Sequence, residues 1–272
     1  MADRKSMLID VFEDTCSFIK ENKVLSDAVA NSSAKTKFFS GDDYPEIGRP
    51  ARRVPSITVS KKRSFEAAVG IHAADPDAKI CVLNFASPVT PGGGVKYGSS
   101  AQEECLCRCS TLYPVLNRKN NWQNFYEQNR DRDDPLGTDA IIYTPDIVIC
   151  KTDVDMPERL SLASFVKVDV ITCAAPNLKK VAEDEYSFLT LYTTHMKRAK
   201  HILHVAAAQG VNAIVLGAFG CGAFRNTPNV VAQSWNDVLD EYKGYFSTIE
   251  FAVFCNRWDT NNYDVFRHCI KI

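Results

Sequence analysis

The sequence predicts a single α/β domain: one mixed sheet with helices on both faces. Three observations predict it. Apolar runs of strand length alternate with helical periodicities along all 272 residues, the pattern of layered α/β folds. No low-complexity break or internal repeat divides the chain, so residues 1–272 read as one unit although the length would also allow two small domains. Two of the apolar runs pass directly into glycine-rich loops, and in open α/β sheets ligands bind at such carboxyl ends of strands.

Taken in order, residues 5 to 31 carry Met7, Val11, Phe12, Cys16, Ile19, Leu25 and Val29 at helical spacing and predict one or two N-terminal helices. Phe39 to Pro55 is rich in glycine, proline and charge and reads as an ordered loop. Its adjacent Arg52 and Arg53 suit phosphate, but such a pair is more commonly solvated surface. Ile57 to Val59 is a short strand, and Ser64 is placed to cap a helix running through Ile71. Lys79 to Phe85 (KICVLNF) is apolar without alternation, as expected of a strand buried on both faces. After a glycine loop come a helix from about Ala101 to Leu112 and another from Trp122 to Asn129; RDRDDPLG is then a solvated loop. Ala140 to Lys151 reads as two short strands around Pro145, or one interrupted strand. Phe165 to Ala174 is a strand, and Glu183 to Gln209 a long helix that Gly210 stops. Asn212 to Leu216 is a strand leading into GAFGCGAFRN. A helix over 227–243 starts with Thr227 as cap and Pro228 at its first position. Ile249 to Cys255 is the last strand and Tyr263 to Ile270 the last helix.

Composition excludes several classes of function. The net charge is −1, so no global field draws the chain to nucleic acid or an anionic membrane, and no direct nucleic-acid binding is expected. No apolar run approaches the roughly 20 residues that span a bilayer. The N-terminus, MADRKSMLIDVFEDTC, lacks the apolar stretch of a secretory signal. Ten cysteines scattered through apparent core strands behave as small hydrophobes. Together these predict a reducing, cytoplasmic location.

The candidate site is the stretch from Val82 to Leu112. A strand ends at Pro88, three glycines follow (Gly92, Gly93, Gly94), and Gln102, Glu103 and Glu104 open a helix. Glycine triplets are costly to order and suit places where backbone must approach a ligand closely. With the second loop, Gly217 to Phe224, they offer backbone N–H groups to an anion. Neither loop has the spacing of a P-loop or of a dinucleotide fingerprint. Acidic residues in a first helical turn also serve the helix dipole, so spacing alone leaves a catalytic role open.

The run VLNFASPVTPGGGV…AQEECLCRCSTLYP, with three glycines, seven residues and then Gln-Glu-Glu, resembles the signature of the microbial-type poly(ADP-ribose) glycohydrolases. The likeness is strongest over 80–115 and 214–226. It implies a macrodomain-like three-layer α/β/α fold with a mixed central sheet, a helical N-terminal extension over 1–55 and a core over 56–272. It also implies hydrolysis of the ribose–ribose O-glycosidic bond, with no cofactor and no metal. Glu104 would be the general acid and base, its pKa raised toward neutrality by burial and by its neighbour. Glu103 would hold the hydroxyls of the ribose being cleaved, and Gln102 would support the loop. Gly92, Gly93, Gly94 and Val95 would wrap a diphosphate from one side, and Gly220, Cys221, Gly222 and Ala223 from the other. Phe224 would face the distal ribose, and Asn84 and Ser87 would border the strand end, with Asn84 in contact with substrate. The implied partners are poly(ADP-ribose) or another ADP-ribosylated substrate and the product ADP-ribose. A hydrolase of mono-ADP-ribosylated protein, nucleic acid or small molecule, or a non-catalytic ADP-ribose reader, would use the same pocket.

Other chemistry-bearing residues have plainer explanations. Cys105, Cys107 and Cys109 form C-x-C-x-C, but on a helix 107 points away from the other two and no second ligand pair has zinc spacing. Cys221 has no histidine near it in sequence. His195, His201 and His204 lack a metalloprotease motif and read as core or surface residues of the long helix.

Overall fold

The computed structural model describes residues 3–51, 54–182 and 184–272; Arg52, Arg53 and Glu183, and the expectations attached to them, lie outside. Among the described residues seven strands form one sheet: β1 (Lys37–Phe39), β2 (Ser56–Ser60), β3 (Ile80–Phe85), β4 (Ile141–Ile149), β5 (Val166–Cys173), β6 (Ala213–Leu216) and β7 (Thr248–Ala252). Their order is β1-β4-β5-β3-β6-β7-β2. The run from β5 to β2 is parallel, and β4 and β1 are added antiparallel at one edge. The mixed sheet of the sequence reading is therefore present.

Strand burial explains the non-alternating runs. Ile80 and Val82 of β3 face one apolar core while Cys81 and Leu83 face the other, and Ala213 and Val215 oppose Ile214 and Leu216 in β6 in the same way. Each strand must therefore be apolar on both sides. The first core is covered by α1 (Arg4–Glu21), α2 (Lys23–Lys35), α3 (Ser64–Ala74), α4 (Gln102–Cys109) and α5 (Leu112–Leu116). The second is covered by α8 (Phe188–Ala208), α9 (Pro228–Tyr242) and α10 (Asn261–Cys269). Between α5 and β4 lie α6 (Lys119–Asn121), a π-helical turn (Trp122–Tyr126) and α7 (Glu127–Arg132).

The differences from expectation have local causes. Lys37–Phe39, read partly as loop, pairs with Ile141–Tyr143; three residues are too few to show a period. The predicted helix over 101–112 breaks at Ser110, which is extended (φ −151°) and bridges to Ile149. Pro114 in α5 has no N–H and disfavours continuation. The stretch around Pro145 is one strand with a shifted register between Thr144 and Ile147, where Asp146 takes φ +60° and its N–H donates to Asp169 (3.1 Å). The long helix begins later than predicted because Ser187 caps it, its hydroxyl accepting the Thr190 N–H at 3.1 Å. At α3 the cap residue is Arg63 and Ser64 is the first helical residue.

The N-terminal helices are fastened to the sheet by a buried cation. Lys151 is 1% exposed, and its Nζ donates to the Val11 carbonyl (2.9 Å) and pairs with Asp14 (2.7 Å). Lys151→Met is expected to cost about 1–3 kcal/mol, because a buried carbonyl loses its charged donor. Urea unfolding checks this, and an unchanged midpoint would contradict it.

Candidate active site

The carboxyl ends of β3, β6 and β7 open into a cleft of about 360 Å³, walled on one side by Gly93 and α4 and on the other by 218–224. Its position follows from the topology: β3 is flanked by β5 and β6, and the chain leaves the ends of β3 and β6 through the two glycine loops.

Gln102 sets the start of α4. Its Nε2 donates to the Leu83 carbonyl (2.8 Å) and to Ser64 Oγ (3.0 Å), while its Oε1 accepts the Phe85 N–H (2.9 Å). One side chain thus takes the place of ladder partners at the end of β3. Glu103 and Glu104 then project under the glycine loop. Both carboxyls converge on Gly93: a Cβ there would lie 2.5 Å from Glu104 Oε1 and 3.2 Å from Glu103 Oε2. Gly92 and Gly93 have φ of +69° and +55°, so two of the three glycines answer a backbone demand as well as a spatial one.

The two glutamates are held differently. Glu103 is 2% exposed and accepts three N–H groups: Ser87 (2.7 Å) on Oε2, Gly92 (3.2 Å) and Asn84 Nδ2 (3.3 Å) on Oε1. Glu104 accepts only the Gly94 N–H, on Oε1 at 2.9 Å. Its Oε2 has no hydrogen-bond partner among the described residues and belongs to a residue lining the cleft. Burial pushes the Glu103 carboxyl from its usual 4.5 up to about 8; its donors oppose the rise and the Glu104 charge adds to it.

A carboxyl raised in this way holds its proton more tightly in the folded chain. Its stabilising contribution is full below its unfolded pKa and is lost as pH climbs to the folded value. Unfolding free energy is therefore expected to fall from about pH 5 to about pH 8, with a shallower fall in Glu103→Gln. Urea titrations of both proteins check this; equal slopes would contradict it.

Of the residues singled out from sequence, Gly93, Gln102, Glu103, Glu104, Gly220, Gly222, Ala223 and Phe224 line the cleft. Asn84 does not: it is fully buried, bonding Glu103 and Thr172 from beneath. Gly92, Gly94, Val95 and Cys221 stand behind the lining, and Val95 is a core side chain. Burial pushes the Cys221 thiol well above its ordinary range, which makes it a poor nucleophile. Among the described residues no group of three or more His, Cys, Asp or Glu is arranged to hold a metal ion, and all ten cysteines are free.

Sequence reasoning missed the supports. Asn226 donates to the Gly220 carbonyl (3.1 Å) and the Pro176 carbonyl (2.7 Å), and its Oδ1 faces His195 Nε2 at 2.8 Å. Burial lowers the His195 pKa to about 4, so the ring is neutral and its one N–H donates to Asn226. A histidine on α8 thereby fixes the second glycine loop. At the other end of the cleft Arg63 stacks on Phe254 at 3.9 Å and pairs with Asp155 at 2.5 Å. Asp153 accepts the Phe65 N–H at 3.0 Å. None of these contacts has a signal in the sequence; they are made by the fold.

The family model for the catalytic domain of microbial-type PARG matches residues 10–152, more than half of the chain. The chain belongs to the microbial-type PARG family. Solved PARG structures agree over nearly the whole length. The chain is similar to the poly(ADP-ribose) glycohydrolase of Thermomonospora curvata, with 27% identity, a TM-score of 0.83 and coverage of 97% of this chain and 99% of that one. It is similar to the same enzyme bound to the inhibitor ADP-HPD, with 27% identity, a TM-score of 0.85 and coverage of 96% and 98%. It is also similar to PARG from Deinococcus radiodurans in complex with ADP-ribose, with 34% identity, a TM-score of 0.78 and coverage of 88% and 95%. No curated protein matches the chain.

Proposed function

We propose that this chain hydrolyses the ribose–ribose O-glycosidic bond of poly(ADP-ribose) and releases ADP-ribose. The observation that carries it is the unequal carboxyl pair lining the cleft: Glu103 held by three donors, Glu104 by one, with its buried Oε2 left without a partner among the described residues. Cleavage at the anomeric carbon passes through an oxocarbenium-like state, and the departing oxygen needs a proton. Glu104 Oε2 supplies it. The resulting carboxylate takes a proton from water as that water attacks the same carbon, which restores the acid. Glu103 holds the ribose hydroxyls, and Asn84 holds Glu103.

The backbone of Gly92–Val95 and Gly220–Ala223 grips the diphosphate, with Phe224 beside the distal ribose. The negative diphosphate then lies near the developing cation and stabilises it. Residues 1–55 act as an extension on a macrodomain-like core, 56–272. No helix among the described residues is long and apolar enough to cross a membrane.

Two measurements test the proposal together. Calorimetric titration with ADP-ribose is expected to show saturable binding; its absence would reject the pocket assignment. Rates on polymer and on singly ADP-ribosylated peptide are expected to favour polymer. A preference for the peptide would move the activity to mono-ADP-ribosyl hydrolysis, and binding without turnover would make the chain a reader.

A further inference from the structure

Arg108 sits at the far end of α4 from the glutamates and is 1% exposed. Among the described residues it makes no ion pair, although Glu104 lies four positions before it, the spacing at which glutamate and arginine normally meet on a helix. Its donors go elsewhere. Nη1 donates to the Ser99 carbonyl at 2.6 Å and Nη2 to Cys105 Sγ at 3.4 Å. The Ser99 N–H donates to the Gly94 carbonyl (3.2 Å), and the Gly94 N–H donates to Glu104 Oε1 (2.9 Å). These contacts close a ring: α4 to Ser99, Ser99 to Gly94, and Gly94 back to α4.

We infer that Arg108 is a positioning residue for Glu104. The loop between the glycines and the glutamates contains Gly98, has no side-chain anchor of its own in the core beyond Val95, and must still present the Gly94 N–H at a fixed point. Arg108 fixes it by clamping the opposite side of the same peptide turn to the helix that carries the acid. Gly94 and Ser99 are packed so closely that a Cβ on Gly94 would collide with the Ser99 side chain, so displacement at Ser99 is passed to Gly94. The helical extension packs on the outside of α4, where Thr15 Oγ1 donates to the Arg108 backbone carbonyl at 2.6 Å away from the guanidinium, and Gly98 lies against the Lys5 carbonyl. A guanidinium serves here because its planar fork of donors reaches the Ser99 carbonyl while also meeting Cys105 one turn back.

The inference rests on the proposed glycohydrolase activity, and its test separates the two. In Arg108→Met, kcat on polymer is expected to fall about 100-fold, as for a misplaced catalytic group, while the Kd for ADP-ribose stays within about threefold, since the second loop still grips the diphosphate. Arg108→Lys, which keeps a donor for Ser99, is expected to recover most of the loss. Thr15→Val, which loosens the packing of α4 without touching the guanidinium, is expected to lower the melting temperature and leave kcat unchanged. Hydrogen exchange at Gly94 and Ser99 is expected to accelerate in Arg108→Met beyond the rest of α4. Wild-type kcat in folded Arg108→Met, failure of lysine to rescue, or an equal kcat loss in Thr15→Val would each overturn the positioning role. If the wild type cleaves no polymer the proposed activity fails, and unchanged exchange at Gly94 and Ser99 would still overturn the clamp.

Discussion

Glu104→Gln is expected to lose turnover on poly(ADP-ribose) by about 10²- to 10⁴-fold, the usual worth of a positioned general acid and base. The glutamine is isosteric, and its oxygen can still accept the Gly94 N–H that Glu104 Oε1 now accepts at 2.9 Å, so the loop stays in place. What disappears is the carboxyl that the proposed mechanism uses to protonate the leaving oxygen and then to activate water. ADP-ribose affinity is therefore expected to change little, and steady-state rates beside calorimetry read both quantities. A rate near wild type would remove Glu104 from the chemistry. A large loss of affinity with kcat preserved would make it a binding residue.

The second large effect is expected at Gly93. An alanine there must adopt φ near +55°, which costs a non-glycine residue about 1 kcal/mol or more. Its Cβ would also fall 2.5 Å from Glu104 Oε1. The carboxyl is 7% exposed and has little room to retreat. Escape means breaking its bond to Gly94 or lifting the loop off the helix. Either displaces the carboxyl that the proposed mechanism uses as acid, so kcat is expected to fall about 100-fold in a protein whose circular dichroism is unchanged. Gly222→Ala is the matching control. Nothing lies within 4 Å of its Cβ position and it carries no left-handed φ, so its effect is expected to be far smaller. Equal losses at the two positions would show that glycine freedom, and not the fit beside Glu104, is what matters.

Much of this was legible because the informative residues are consecutive. β3, the glycines and the three polar residues at the start of α4 occupy one stretch, and both glycine loops declare themselves by composition. The strand runs were legible because β3 and β6 are buried on both faces, which leaves uninterrupted apolar residues. What was not legible depends on distant pairs. His195 meets Asn226 across 31 positions, and Asp153 meets Phe65 across 88. Neither pair has any spacing to read, and each residue alone looks like a core or surface choice. Asn84 neighbours the loop in sequence, but it is buried, where it bonds Glu103 and Thr172, a placement that no spacing in the sequence shows. The unequal hydrogen bonding of the two glutamates has no spacing to read either. Adjacent residues on a helix point about 100° apart, so Glu103 meets three N–H donors while Glu104 meets one.

The central claim is that the cleft releases ADP-ribose from polymer through Glu104. The most direct measurement incubates wild type and Glu104→Gln with automodified polymer and resolves the products. Free ADP-ribose accumulating with the wild type, and polymer left intact by a variant that still binds ADP-ribose, is the result predicted. Intact polymer with both proteins, or equal release by both, would contradict it.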